Sequence, residues 1–576
     1  MSRAWNIGNT TVRNPKRIEM GFKLIRQNGL EASLEGKENE KKLAEMLVQA
    51  GVVDSKGSQS DWLGRKWRSV MVKLGLLTDK SYKIEGKSVR IEKMGDKLGI
   101  PAVPYSITPM GMRLINAQSA AEVSDIFLHQ LFVHELPNSI EKKIELGSSR
   151  IKPFIFLLQV LLHLKGDDAG LNQQEIAVFL QKIANHDKEY VESVVADVLN
   201  YRSERNKLSS KREKLIYDKQ LLESVATEMH VKRHTPRDYA DTTVRYFSMT
   251  GLFEMRGSRF KIKDDSVAFV ERLVQNEPRF IGSEDPIQYL KDFYCGSDLP
   301  TDSESMLKGD LAALIQKSEE LKISTPDIKT KSLTVAEMKA EKYKLEEDIL
   351  KSRENSFAFL QQSSEQVKDI VEGLTLVSNK NRAYIQSVTD MPAHLEWMVW
   401  RGFLAIDHIA NPISDTRGFP VDVDLQPRYP APGGRPDMSF EFDDYSLVVE
   451  VTLTTSTRQY VAECEPVRRH VANAVGPKQA LGLFIAPTLD NNFLHGVRDY
   501  YKADILVKLN ILPITLSDFV RLLEVHKSHP ITPRAIKELI LRANDDQSKN
   551  GLEWRLHIQK AFNKWLLEQA TEKVEI

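Results

Sequence analysis

Two carboxylates in this chain stand where a tight turn would bring them face to face. In Arg435-Pro436-Asp437-Met438 and the SFEFDDYSLVVEVTLT that follows, two β-prone runs, Ser439–Phe442 and Tyr445–Thr452, flank Asp443-Asp444. A two-residue hairpin turn there pairs Phe442 with Tyr445. Continuing that register sets Asp437 opposite Glu450 on one face, with Cβ atoms roughly 4.5–5.5 Å apart. Carboxylates this close repel unless a cation lies between them, and hard oxygen donors suit Mg2+, which keeps waters for a phosphate oxygen and a nucleophile. The chemistry such a pair supports is phosphodiester hydrolysis, in which the ion polarises the phosphate, activates water and neutralises the leaving oxygen. Glu450 lies between Val448-Val449 and Val451, in a run that reads as a buried strand, which argues against two surface acids on an exposed hairpin.

Several elements would position this pair. A helix from near Pro392 to Gly402 carries Glu396, which the residues alone leave facing solvent. Downstream, Glu463 and His470 are seven apart and share a helix face if the helix is continuous, whereas Pro466 between them could kink it or start a new one. The runs LGLFIAP and NILPIT read as strands, the second leading into a helix at Ser517. Mixed strands flanked by helices make residues 381–576 an α/β domain.

The 576 residues exceed what one core serves, so the chain is expected to be a multidomain α+β protein. Eighty basic and 80 acidic side chains cancel, so a nucleic-acid footprint must be local. Residues 1–30 carry six basic side chains against Glu19 alone, and residues 51–100 carry 11 against 6. The longest apolar stretch, Pro153–Leu164, is interrupted by Gln159 and His163 and falls short of a membrane span. The sequence begins without a secretory signal and holds two cysteines, Cys295 and Cys464, with no CxxC, which predicts a reducing cytoplasm and no structural zinc.

Two segments share one grammar. Leu63, Trp67, Val70, Met71 and Leu74 form one buried face of a helix over Asp61–Leu74, leaving Arg65, Lys66, Arg68 and Lys73 largely off that face. Gly75 ends it, Tyr82–Ile91 reads as a hairpin around Gly86-Lys87, and ITPMGMRLINA starts another helix at Thr108-Pro109. Later, Asn172 caps a helix, and Thr235-Pro236-Arg237-Asp238 gives an N-cap, a first-turn proline and an acid for a helix running to Met249. The hairpin FEMRGSRFKIK then turns at Gly257-Ser258. Helix followed by basic hairpin is the winged-helix order, predicted for residues 1–150 and again for 151–290. Arg65, Lys66, Arg68, Arg237 and Arg245 on the helices are candidates to enter a groove, and Arg256, Arg259 and Lys261 on the wing to meet phosphates. Residues 291–380, rich in charged helix formers, read as a helical linker.

Asp437 in its PD, Glu450 thirteen positions on in EVT, and then ECEPVRRH together resemble the PD-(D/E)XK nucleases, and more narrowly the AlwI-type family of type IIS restriction and nicking endonucleases. HLEWMVWRGFL, RDYADTTVRYFSMTGLF and GLFIAP resemble further family blocks in the family order. The resemblance implies metal ligands at Asp437, Glu450 and Glu396, further catalytic residues at Glu463 and His470, and Mg2+ as cofactor. It also implies double-stranded DNA as partner, a short asymmetric site of the GGATC or GAGTC kind, cleavage a few base pairs to one side, and a bacterial cytoplasm. Thr452 stands where the family pattern E-x-K has its lysine. His470, or a second ion held with Glu463 and Glu396, is left to supply the missing charge or proton relay. One such site cuts one strand, so a double break needs a second copy or a small catalytic subunit, and a strand-specific nickase or large subunit of a heterodimer is the alternative. A DNA-binding regulator with a dead nuclease domain is the rival of another class; the retained Asp437 and Glu450 oppose it.

Overall fold

The computed structural model describes residues 4–571 except 51, 54–61, 142–148, 257, 278, 324–332, 389, 433, 504–508 and 546–549. The chain forms two compact units, one of residues 1–320 and 324–347, the other of 321–323 and 348–576. The boundary falls inside the charged helical stretch 291–380.

In the first unit, α1 (Lys37–Gln49) packs on α2 (Leu63–Lys73). The approach is close: a Cβ on Gly64 would lie 1.9 Å from the Glu40 carbonyl oxygen. The predicted face of α2 is buried from Leu63 to Leu74; its predicted start at Asp61 lies outside the described residues. Strands β1 (Ser81–Ile84) and β2 (Lys87–Arg90) pair antiparallel. The turn is Glu85-Gly86, one residue earlier than the sequence suggests, because both take left-handed φ of 47° and 77°, the geometry a two-residue hairpin needs. Thr108 caps α3 (Pro109–Asn116) by accepting the Gly111 N–H at 3.1 Å. The apolar run Pro153–His163 is α4, buried along nearly its whole length.

The second motif of this unit begins at β3 (Leu171–Asn172), where Asn172 and Glu175 cap each other's backbone and a π-helical turn follows over Ile176–Leu180. Two long helices, α5 (Lys188–Lys207) and α6 (Lys211–Glu228), precede α7 (Thr235–Ser248). Helix α7 starts at Thr235 itself, so Thr235 is not its cap; His234 holds that position without a side-chain bond. Then β4 (Phe253–Arg256) and β5 (Arg259–Ile262) form the expected hairpin, whose Gly257 lies outside the described residues. With β3 they make an antiparallel sheet in the order β3-β5-β4. Helix α8 (Glu304–Glu320) and the first half of α9 (Val335–Gln361) close a small core of Leu307, Leu311, Met338 and Leu345.

The second unit is built on one four-stranded sheet. Helix α10 (Ser364–Ser378) packs on α11 (Met391–Ile406), and β6 (Met438–Glu441) turns into β7 (Tyr445–Val451). Helix α12 (Arg458–Asn473) crosses to β8 (Gln479–Ala486), and α13 (Asn491–Ala503) to β9 (Asn510–Thr515). The order is β6-β7-β8-β9, with β6 antiparallel to β7 and the other pairs parallel. Every residue of β7 is buried, as the centre of a sheet covered on both faces requires. Helices α14 (Leu516–Ser528), α15 (Pro533–Asn544) and α16 (Gly551–Thr571) complete the unit. Helix α11 does not stop at Gly402, as its sequence suggests. A Cβ there would come 3.0 Å from the Phe519 ring of α14, so this glycine serves close helix packing. The helix runs on to Ile406, followed by Asp407 with φ 67°.

Candidate active site

The β6–β7 ladder pairs Met438 with Val449, Ser439 with Val448, Phe440 with Leu447 and Glu441 with Ser446. That is the register a turn at Asp443-Asp444 imposes; Asp437 lies one residue before the first pair, and the next position along β7 is Glu450. The Asp437 carboxylate also crosses to the partner strand, with Oδ2 accepting the Val451 N–H at 2.7 Å. Glu450 is 8% exposed.

Helix α12 brings the next two groups. It is continuous through Pro466, which removes one hydrogen-bond donor without breaking the helix, so Glu463 and His470 do lie on one face. His470, buried, meets Glu450 through Nδ1 and Oε1 at 2.5 Å, and its Nε2 is buried with no hydrogen-bond partner. Thr452, in the lysine position, donates from Oγ1 to Glu463 Oε1 at 2.8 Å and accepts the Thr454 N–H at 3.0 Å. The side chain that replaces the cation thereby aims a carboxylate. Buried Gln459, at the start of α12, ties this loop down by donating to the carbonyls of Thr454 and Thr488, both at 2.9 Å.

Glu396 corrects the sequence expectation. It is buried, at 5% exposure, because α11 is enclosed on nearly every side, and its Oε2 accepts the Ala431 N–H at 2.8 Å. Burial, then repulsion from Asp437, holds the Glu396 carboxyl well above its ordinary range. Burial and then Glu450 do the same to Asp437, burial and then Glu463 push Glu450 up to about 8, and burial raises Glu463. The His470 imidazole moves the other way, lowered by burial and then by the adjacent Arg469. Burial is thus the main cause at all four acids, and repulsion from neighbouring carboxylates adds to it at Glu396, Asp437 and Glu450.

Among the described residues no three histidine, cysteine or acidic groups converge on one point as a finished metal cage. The donor set nevertheless fits a hard dication: the Asp437 carboxylate crosses to the strand that carries Glu450, and burial, then repulsion from Glu450, raises Asp437.

In the first unit the basic candidates divide. Arg65, Arg237 and Arg256 are exposed and Lys66 is half-buried. Arg237 shares Gln174 Oε1 at 3.1 Å, and Arg245 is paired with Asp241 at 2.8 Å. Arg259, half-buried, donates to the Asp167 carbonyl at 2.5 Å. Arg68 is not on the solvent face: it is buried, donates to the Leu34 carbonyl at 2.8 Å, pairs with Glu40 and stacks 4.0 Å from the Tyr105 ring centroid. Lys261 is likewise withdrawn, buried between Glu254 at 2.9 Å and Asp264 at 3.2 Å. Its ammonium stays charged and is held between these two acids, which are themselves exposed.

The sequence profile of the family described as AlwI restriction endonuclease matches residues 73–522. Among solved structures, the small subunit of the heterodimeric restriction endonuclease R.BspD6I is 18% identical, with a TM-score of 0.29, over 34% of this chain and 98% of that one. The BpuJ1 endonuclease binding domain, in complex with pyrene- and phenanthrene-modified DNA, is 15% identical, also at TM-score 0.29, over 45% of this chain and 84% of that one. No curated protein matches significantly.

Proposed function

Given that this chain belongs to the AlwI restriction endonuclease family, and so is a DNA restriction endonuclease, we propose that it is a type IIS, Mg2+-dependent enzyme that binds a short asymmetric duplex site and hydrolyses the backbone a few base pairs away. In this reading residues 381–576 cut, residues 1–290 read the site through two winged-helix-like modules, and residues 291–380 link them. The observation that supports the cutting half is the Asp437 carboxylate, which crosses to β7 beside Glu450 by accepting the Val451 N–H at 2.7 Å. The reading half is supported by the order helix α7, hairpin β4–β5, with β3 added beside β5. It is also supported by the exposure of Arg65, Arg237 and Arg256.

Asp437 and Glu450, with Glu396 beside them, would hold the Mg2+, which when bound supplies electrophilic charge at the scissile phosphate and an acidified water. The remaining work belongs to the chain. Once Glu450 is ionised, neutral His470 donates its Nδ1–H to Glu450 Oε1 and so orients that carboxylate. Glu463, aimed by Thr452, adds a second carboxylate on the same helix face to steer that water.

The test is cleavage of plasmid DNA in Mg2+ with sequencing of the ends, which reports site, offset and whether one strand or both are cut. Asp437→Ala or Glu450→Ala should abolish cleavage while site-specific binding persists, and EDTA should do the same to the wild type. Near-normal turnover by either variant would falsify the assignment.

A further inference from the structure

Asp437 is one residue outside the β6 ladder, so the aim of its carboxylate depends on what fixes its main chain. The segment Thr416–Phe419 lies alongside: Gly418 N–H donates to the Asp437 carbonyl at 2.8 Å, and Arg417 bridges antiparallel to Met438. Only glycine allows that approach, because a Cβ on Gly418 would sit 2.1 Å from the Pro436 carbonyl oxygen. The obstacle is backbone, so it cannot swing aside as a side chain would.

The segment is itself anchored from behind. Arg417 donates to Glu354 Oε1 from Nε at 3.2 Å and from Nη2, and to the Phe419 carbonyl from Nη1 at 2.9 Å. Glu354, on the second half of α9, is 1% exposed. On the other side of Arg417, Thr416 Oγ1 accepts the Trp400 Nε1–H at 2.7 Å. A buried ion pair of this kind contributes little net stability over an apolar replacement, but it fixes geometry on both partners and is costly to break singly. Here the guanidinium has its orientation set by three hydrogen bonds, and the next residue along the chain holds Asp437.

We propose that Glu354, Arg417 and Gly418 are positioning residues that fix the main chain of Asp437, so that its carboxylate faces Glu450. This rests on Asp437 being an active-site carboxylate, which the Asp437→Ala control tests separately.

The experiment measures single-turnover cleavage of a duplex carrying the mapped site, affinity for that duplex in Ca2+, melting temperature, and the Mg2+ concentration that half-maximally raises it. It compares the full-length wild type with Gly418→Ala, Arg417→Lys and Glu354→Gln. The expected result is a folded Gly418→Ala with unchanged duplex affinity, cleavage slowed about 100-fold, as a displacement on the order of 1 Å can cause, and a higher Mg2+ requirement in the melting assay. Glu354→Gln, which keeps shape and one acceptor, should retain more activity than Gly418→Ala. A folded Gly418→Ala that cleaves within about twofold of wild type and binds Mg2+ alike overturns the proposal. If Gly418→Ala does not fold, the other two variants decide by the same criteria, and failure of all three to fold overturns it too, since the contacts then serve stability alone. A fully active Asp437→Ala would instead overturn the underlying site.

Discussion

Glu450 shows what the fold does to a single acid. Burial and the neighbouring Glu463 push it up to about 8, from an ordinary value of 4.5. Between those two values the folded chain keeps a proton that the unfolded chain has lost. Its contribution to stability is therefore fully present below the unfolded value and drains away as pH rises to about 8. In EDTA the wild type should accordingly melt lower at about pH 8 than at about pH 5. Glu450→Gln removes the titration and keeps the shape, so its melting temperature should exceed that of the wild type at the higher pH, with the gap closing toward the lower one. Mg2+ should stabilise the wild type most at the higher pH, where the carboxylates are readiest to ionise. Parallel melting profiles for the two proteins would show that Glu450 does not titrate as its burial implies.

Among the elements, the β6–β7 hairpin was the most legible, because a strand alternates with period two and a two-residue turn leaves one register. The face of α2 was equally readable, since helical spacing reports burial directly. The β4–β5 hairpin was half readable: its strands followed from residue type, but the fate of its cations did not. Arg256 is exposed, whereas Lys261 is buried against Glu254 and Asp264. Arg256→Ala should weaken target and non-target duplex alike and lower the salt slope by roughly one contact. Lys261→Ala should leave the slope unchanged and instead lower the melting temperature, because it leaves Glu254 and Asp264 without their shared cation. Anisotropy titrations across a salt series check both, and a Lys261→Ala slope reduced as much as that of Arg256→Ala would refute the distinction.

For the whole molecule, the division at 347/348 gives a sharper fragment than composition does. Residues 1–347, which keep the core of Leu307, Leu311, Met338 and Leu345, should fold, bind the mapped site and cut nothing. A fragment with native-like circular dichroism that does not distinguish the site from a scrambled duplex would move recognition out of the first unit. The β6–β7 hairpin and its register, the buried face of α2 and the order of helix α7 and hairpin β4–β5 were legible in the sequence itself, because turn chemistry, strand alternation and helical spacing act between near neighbours. The family was legible as a resemblance of motifs. Tertiary structure alone decided the burial of Glu396, the unbroken helix that carries Glu463 and His470 past Pro466, and the withdrawal of Arg68 and Lys261. It alone set Gly418 against Asp437. In these cases the outcome depends on which distant group closes over the residue: Arg68 meets Tyr105, Glu396 meets Ala431, and Arg417 meets Glu354. Whether a charge faces solvent, a partner or a substrate is fixed by the desolvation and pairing available at its final place, and no local pattern along the chain records that.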